Sequence, residues 1–191
     1  MRNFLGALVG ALMGTSLIVA ITGLAPPSYP APLDLVWFVL AGSESLLLSV
    51  LDAVDPTSML VGTMVWIAMG VIAGLVATSR WNVLRSVLWM GVLVAVLGLV
   101  SLFAISPDLW FQDQAVRNTV ILYRFVTTLL LSLVSVLGAL PVAMAIITIR
   151  KKSLALPPGK IETICECGAI FKSKPLMCSE CGRFLSDNQS K

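Results

Sequence analysis

The sequence contains no histidine and few charged side chains. Of its 191 residues, 12% are charged and 58% are hydrophobic, whereas a soluble domain has roughly 25% charged and 45–50% apolar residues. The missing histidine excludes histidine-based acid-base catalysis and histidine metal ligands. The scarcity of charge argues against a water-soluble globule, and a net charge of +3 is too small to indicate a nucleic-acid partner by itself.

The apolar residues lie in long blocks, the pattern expected when lipid is the solvent. A helix of about 20 residues crosses a hydrocarbon layer about 30 Å thick. We therefore predict a mainly α, polytopic membrane helix bundle of four transmembrane helices plus an interfacial or re-entrant helical segment, followed by a small C-terminal module. The predicted transmembrane domain covers residues 1–152, with spans at about 4–24, 58–78, 86–106 and 120–149.

The first span begins after Arg2 and also resembles a secretory signal. Its uncharged run is longer than a signal core, and Pro26 and Pro27 make a poor cleavage region, so we predict an uncleaved anchor. Prolines at positions 26, 27, 30 and 32 should then keep the chain extended, because each restricts its own backbone and that of the residue before it.

Residues 33–54 are apolar but carry acids at Asp34, Glu44 and Asp52. A carboxylate at bilayer depth costs several kcal/mol unless it lines a cavity or has a partner. We predict an interfacial or re-entrant helical hairpin here, and a fifth span is the alternative. Asp52 and Asp55 could bind a cation, although a solvated polar face is the favoured explanation.

The last span is longer than a bilayer requires, and its excess can be met by tilt or by projection into solvent. Pro141 should kink it, because the carbonyl of Leu137 loses its usual donor. Arg124 is expected near the outer end, so no ionisable group is predicted deep in a span. Four hydroxyls could line a transport path, or could bond to their own helix backbone. They belong to Thr127, Thr128, Ser132 and Ser135.

The basic residues predict the orientation, because they favour the cytosolic side of a membrane. With a cytosolic N-terminus, six basic residues fall inside and only Arg117 and Arg124 fall outside. We therefore expect a multi-pass protein of the cell membrane with both termini in the cytosol. The six are Arg2, Arg80, Arg85, Arg150, Lys151 and Lys152.

Small residues recur every four positions in the spans, most clearly at Gly6, Gly10 and Gly14. Such a stripe lets another helix backbone approach closely. We expect it to pack within the chain, with self-association or a protein partner through the same three glycines as the alternative.

The four cysteines all lie in the last 27 residues, as two close pairs: Cys165 with Cys167, and Cys178 with Cys181. Ten residues separate the pairs, and a glycine directly follows each. Two close pairs can place four thiolates at the corners of a tetrahedron, and a glycine lets the backbone turn so that amides point at sulfur. Zinc is the expected ion for four sulfurs, iron is the alternative, and a disulfide pair is disfavoured in a reducing cytosol.

This pattern resembles the short zinc-ribbon modules found at the ends of many membrane and regulatory proteins, with C-x-C replacing C-x-x-C in the first pair. The resemblance covers about 20 residues and implies a structural Zn²⁺ held by all four cysteines. We predict a linker at 153–163, a cytosolic zinc ribbon at 164–185 and a flexible tail at 186–191. The complete predicted fold is therefore the membrane bundle with a small C-terminal zinc ribbon.

Residues 150–191 carry eight basic and four acidic side chains, a net charge of +4. Zinc with four thiolates would lower this by two, which favours anionic lipid headgroups over nucleic acid as the partner. The chain offers no nucleophile paired with a base and no phosphate loop, so we expect no enzyme and infer no small-molecule substrate.

These features predict a non-catalytic membrane scaffold or accessory subunit, whose partners are the lipid bilayer and a cytosolic protein docked by the zinc ribbon. The alternative is a small transporter or channel-like oligomer. It would use residues 33–54 as a gating element and the zinc-binding tail as a regulatory cap.

Overall fold

The computed structural model describes residues 2–51, 55–77, 79–154, 163–171 and 175–185, and of these gives only the backbone at Arg2, Arg80 and 151–154. The chain forms two compact units, Met1–Ile147 and Thr148–Lys191. Asp52, the centre of the predicted linker and the predicted tail at 186–191 lie outside the described residues.

The chain is mainly helical. The helices are α1 (Arg2–Thr22), α2 (Trp37–Leu51), α3 (Pro56–Val76), α4 (Arg80–Ile105), α5 (Gln114–Ser132) and α6 (Val136–Leu154). Short 3-10 turns at Leu33–Val36, Pro107–Phe111 and Leu133–Ser135 precede α2, α5 and α6, and two short strands follow, β1 (Thr163–Ile164) and β2 (Ile170–Phe171).

Local sequence explains several helix ends. Gly23 ends α1 with a left-handed backbone (φ +62°), a conformation that glycine adopts without a Cβ penalty. Asp55 caps α3, because its carboxylate accepts the backbone N–H of Thr57 at 3.0 Å, and Pro56 fits the first helical position. Ser79 caps α4 by accepting from the backbone N–H of Asn82.

Five helical segments are long and apolar enough to cross a membrane. Four correspond to the predicted spans, and the fifth is the segment predicted to be interfacial or re-entrant. Length and composition therefore agree with a membrane protein but do not confirm the number of four. The five are Asn3–Thr22, Leu33–Leu51, Pro56–Val76, Trp81–Ile105 and Gln114–Arg150.

The glycine stripe of α1 packs within the chain. Gly6 faces Val76, and a Cβ on Gly14 would overlap the side chain of Met69. Gly14 lies eight residues after Gly6, whereas its contact Met69 lies seven residues before Val76. The two helices are therefore antiparallel. The stripe is covered by this packing, and self-association through it would have to displace α3.

The antiparallel packing of α1 and α3 constrains the segment between them. The C-terminal end of α1 and the N-terminal end of α3 lie at the same end of the bundle. The chain from Gly23 to Asp55, which contains α2, therefore leaves and returns at that end.

Helix α2 crosses its neighbours one after another. Leu40 and Ala41 share a cluster with residues of α4, including Leu97. A Cβ on Gly42 would overlap the backbone of Thr15 in α1. Further along, the carbonyl of Leu46 accepts the indole N–H of Trp66 in α3 at 3.4 Å, so α2 passes from α4 over α1 to α3.

Helices α5 and α6 complete the bundle against α3 and α4. A Cβ on Gly70 of α3 would overlap the carbonyl oxygen of Ser135, and Gly74 approaches Ala139 in the same way. The 3-10 turn at Leu133–Ser135 lies at this close contact. The kink expected at Pro141 stays a prediction, although the α-helical pattern is interrupted about two turns before it.

Candidate metal centre and a buried polar network

Two tight turns position the cysteines. The first connects β1 to β2, which pair antiparallel with Ile164 opposite Ile170, and the N–H of Gly168 closes it on the carbonyl of Cys165 at 2.9 Å. The second turn repeats this arrangement, with the N–H of Gly182 on the carbonyl of Cys178 at 2.9 Å. Both glycines have positive φ, +90° and +70°, which explains why glycine follows each pair.

The four thiols converge on one point. Their sulfur atoms all lie within 4.8 Å of one another, with Cys165 to Cys181 at 3.5 Å and Cys167 to Cys178 at 3.6 Å. A tetrahedron with Zn–S bonds of about 2.3 Å has edges of about 3.8 Å. The residues therefore fit a four-coordinate metal ion, as their spacing predicted, while the identity of the metal remains a prediction.

The electrostatics of the thiols also favour a cation. Burial raises the pKa of Cys178, but the backbone N–H groups of Cys181 and Glu180 and nearby thiols outweigh it and lower this pKa to about 7. At Cys167 the N–H of Ala169 lowers the pKa, but the thiols of Cys165 and Cys178 outweigh it and raise the pKa to about 12. Neighbouring thiolates repel one another because they carry the same charge, and a bound metal ion would offset this repulsion.

The cysteines differ in exposure. Cys165 and Cys178 are buried, whereas Cys167 and Cys181 are exposed. All four are free thiols, and the sulfur distances of 3.5 Å and 3.6 Å are far longer than the roughly 2.05 Å of a disulfide.

A second polar site lies in the bundle, where α2 meets α4 and α5. Arg124 of α5 donates to one carboxylate oxygen of Glu44 at 2.9 Å, and the hydroxyl of Ser101 donates to the other oxygen at 2.9 Å. The Tyr29 hydroxyl lies 2.7 Å from that of Ser101. We call these four residues the α2 network.

Sequence reasoning missed this network. Arg124 was expected near the outer end of its span, and Glu44 was expected to need a partner that remained unidentified. The Arg124 and Glu44 side chains are only 23% and 18% exposed, and they are 80 residues apart. The available signal was an acid, Glu44, within an otherwise uncharged helix and a base, Arg124, within the apolar part of α5.

Most of the four hydroxyls singled out in the last span donate hydrogen bonds to backbone carbonyls of their own helix. Thr127 donates to the carbonyl of Tyr123, Thr128 to that of Arg124, and Ser132 to that of Leu129. The buried Ser135 hydroxyl alone among the four has no hydrogen-bond partner within the described part of the chain. Their predicted role in lining a path stays untested.

Asp55 serves as a helix cap, which accounts for its side chain without a cation. Asp52, its proposed companion, lies outside the described residues.

Comparison with known proteins assigns no family. The chain matches no protein-family model, no curated protein and no solved structure. The resemblance of the cysteine module to zinc ribbons is therefore carried by its spacing and geometry alone.

Proposed function

We propose that this chain is a non-catalytic integral membrane scaffold or accessory subunit, whose C-terminal cysteine module holds a structural zinc ion and docks a cytosolic protein. The observation that carries the proposal is the convergence of four thiols within 4.8 Å. Four protein ligands complete a tetrahedral shell, whereas a catalytic zinc keeps one position open for water or substrate.

The module needs such an ion to fold. Its strands contain two residues each, and a unit this small cannot bury enough apolar surface to be stable alone. Metal binding then supplies the folding free energy directly. A folded module would present a fixed surface at the cytosolic end of the membrane anchor.

The packing of the bundle supports an anchoring role. Glycines 14, 42 and 70 bring helices into contacts that leave no room for a Cβ. Both oxygens of Glu44 are satisfied by Ser101 and Arg124. Polar groups that are paired within the bundle stabilise one arrangement of the helices.

We further propose that α2 re-enters the membrane without crossing it, so that four helices span and both termini are cytosolic. The antiparallel packing of α1 and α3 supports this, because it returns the chain to the end from which it left. A fifth crossing would instead put the termini on opposite sides. Epitope tags at both ends, probed with an impermeant protease in intact and opened cells, separate the two topologies.

The α2 network favours a second candidate, a transporter or channel-like oligomer in which α2 is a gating element. Ionisable side chains inside a membrane often mark an ion or proton path. In this candidate mechanism the Glu44 carboxylate would release Arg124 and bind a transported cation or proton in its place.

Two measurements decide between the candidates. The scaffold predicts about one zinc ion per purified chain, and a protein that co-purifies in mild detergent with the wild type but not with Cys165→Ser or Cys181→Ser. The matched control is Ser179→Ala, which alters the second turn without removing a thiol. Ion or proton flux through the pure protein in liposomes, abolished by Glu44→Gln, would instead replace the scaffold with the transporter.

A further inference from the structure

The cysteine module places each accessible thiol beside a buried one. Cys167 and Cys181 are exposed, whereas Cys165 and Cys178 are buried. The sulfur of Cys181 lies 3.5 Å from that of Cys165, and the sulfur of Cys167 lies 3.6 Å from that of Cys178. Each of these contacts joins the first turn to the second. An accessible thiolate with a second thiol beside it is the arrangement found in cysteines that respond to oxidants.

A bound metal ion would keep all four sulfurs in the reactive thiolate form. Metal ligation deprotonates a thiol outright, so the different pKa values of Cys167 and Cys178 do not decide which sulfur reacts. Exposure decides it instead, because an oxidant dissolved in water reaches the accessible sulfurs first. We therefore expect Cys167 and Cys181 to be the attacking thiolates, and the buried cysteine beside each to complete the reaction.

Either pair can form a disulfide after a small movement. A disulfide has an S–S distance of about 2.05 Å, so each pair must shorten by about 1.5 Å. The described part of the module offers little resistance to this, because its strands contain two residues each. Its ion pair between Arg183 and Glu166 is exposed on both sides and contributes little. Since the thiolate is the form that binds a metal, oxidation of the ligands releases the ion.

We infer that the module is a peroxide-responsive thiol switch, in which oxidation joins Cys165 to Cys181 and Cys167 to Cys178 and releases the metal ion. The inference rests on the proposed zinc site and names its regulation. In a reducing cytosol such disulfides are transient, because cellular thiols restore the reduced form. The surface that docks a protein partner would then be present only while the thiols are reduced.

Each disulfide forms in two steps. The exposed thiolate attacks one oxygen of hydrogen peroxide, the O–O bond breaks, and the products are a sulfenic acid and a hydroxide ion. The buried thiolate then attacks the sulfenic sulfur, and the S–S bond forms as a second hydroxide ion leaves. Two electrons pass from the two sulfurs to the peroxide, and the hydroxide ions take up protons to give water. Two molecules of peroxide therefore convert a zinc tetrathiolate into two disulfides and free Zn²⁺.

The test uses the full-length, zinc-loaded protein in detergent micelles at neutral pH. Hydrogen peroxide is added in excess, zinc release is followed with a weak coloured chelator, and disulfides are mapped by mass spectrometry of unreduced peptides. We expect loss of the zinc ion, loss of all four free thiols and the two disulfides within each chain. Release should be about tenfold faster than oxidation of free cysteine, which is only a few per cent thiolate at pH 7. Dithiothreitol with added zinc should restore the metal.

Two further measurements identify the sulfurs responsible. Limiting iodoacetamide, which alkylates thiolates, should modify Cys167 and Cys181 of the zinc-loaded protein before Cys165 and Cys178. Met177→Leu is the matched control, because it removes a half-exposed sulfur from the second turn and leaves the four thiols intact. It should release zinc at the wild-type rate.

Zinc that leaves no faster than free cysteine is oxidised would overturn the inference. So would first alkylation at a buried cysteine, disulfides formed only between chains, or zinc release that Met177→Leu prevents. A zinc content well below about one ion per chain before peroxide is added would contradict the proposed zinc site itself. The failure of the switch and the failure of the proposed function are therefore distinguishable.

Discussion

The bundle and the cysteine module are stabilised in opposite ways. The bundle packs long apolar helices at backbone contact and pairs its few polar groups, as Glu44 with Arg124. The described part of the module has four strand residues and leaves large apolar side chains exposed. We therefore expect its stability to come from a metal ion held by the four thiols instead of from an apolar core. A single substitution in the bundle should therefore lower the free energy of unfolding by only part of its total. Loss of one thiol should unfold the whole module.

The largest effect is expected from removing one thiol of the module. Cys178→Ser should abolish metal binding, because the apparent binding free energy of a structural zinc site, roughly 10–16 kcal/mol, depends on all four ligands. Amide exchange at 163–185 should become unprotected, while the helices of the bundle keep theirs. A chelator should reproduce this in the wild type.

Ser179→Ala should leave both metal content and exchange unchanged. If Cys178→Ser kept a protected module, the comparison would fail, because the module would then have a source of stability other than its thiols.

Within the bundle, the largest effect should come from breaking the ion pair of the α2 network. Arg124→Gln removes the charged partner of Glu44 at a part-buried site, and the loss of a charge-assisted hydrogen bond there costs about 2–3 kcal/mol. The free energy of unfolding in mixed micelles, measured by helix loss, should fall by this amount. The double variant Glu44→Gln with Arg124→Gln should recover most of it.

Arg117→Gln is the matched control, because Arg117 lies on the same helix but outside the α2 network, with its guanidinium donating to the carbonyl of Trp110 at 3.1 Å. It should change the free energy of unfolding by about 1 kcal/mol or less. Equal effects at the two arginines would show that the network does not hold α2 in place.

A smaller effect is expected from adding a single methyl group between helices. In Gly70→Ala the new Cβ would overlap the carbonyl oxygen of Ser135, a backbone atom that cannot move aside. The free energy of unfolding should fall by about 1–3 kcal/mol. In Gly98→Ala the Cβ would lie 3.7 Å from the hydroxyl of Ser43, an ordinary contact, so this variant should behave like the wild type.

The two regions also differ in how well the sequence predicts them. The helices that correspond to predicted spans overlap the predicted ranges, but α4 begins at Arg80 and α5 at Gln114, each about six residues before the predicted start. The cysteine cluster followed from spacing within 17 residues. The apolar runs and the cysteine spacing are both local signals. Bilayer thickness sets the length of one continuous run, and turn geometry sets the spacing of cysteines that are close in sequence.

The path of α2 and its network could not be predicted in the same way. Length and composition allow residues 33–51 to cross a membrane, and only the antiparallel packing of α1 and α3 shows that the chain returns to its starting end. The contact of Glu44 with Arg124 joins residues 80 positions apart. No local pattern in the sequence encodes such a pairing.

The smallest effect is expected at the N-terminal cap of α3. Asp55 accepts from the hydroxyl of Thr57 at 2.7 Å and from its backbone N–H, and these bonds lower the pKa of Asp55. A carboxyl with a lowered folded-state pKa stabilises the fold above its unfolded pKa, and this contribution is lost as the pH falls through the folded value. Asp55→Ala should therefore lower the melting temperature slightly at neutral pH, and the difference from wild type should shrink in acid. Asp55→Asn should keep a cap without this pH dependence. If the wild type and Asp55→Asn showed the same acid response, the carboxylate would not be the group that stabilises the start of α3.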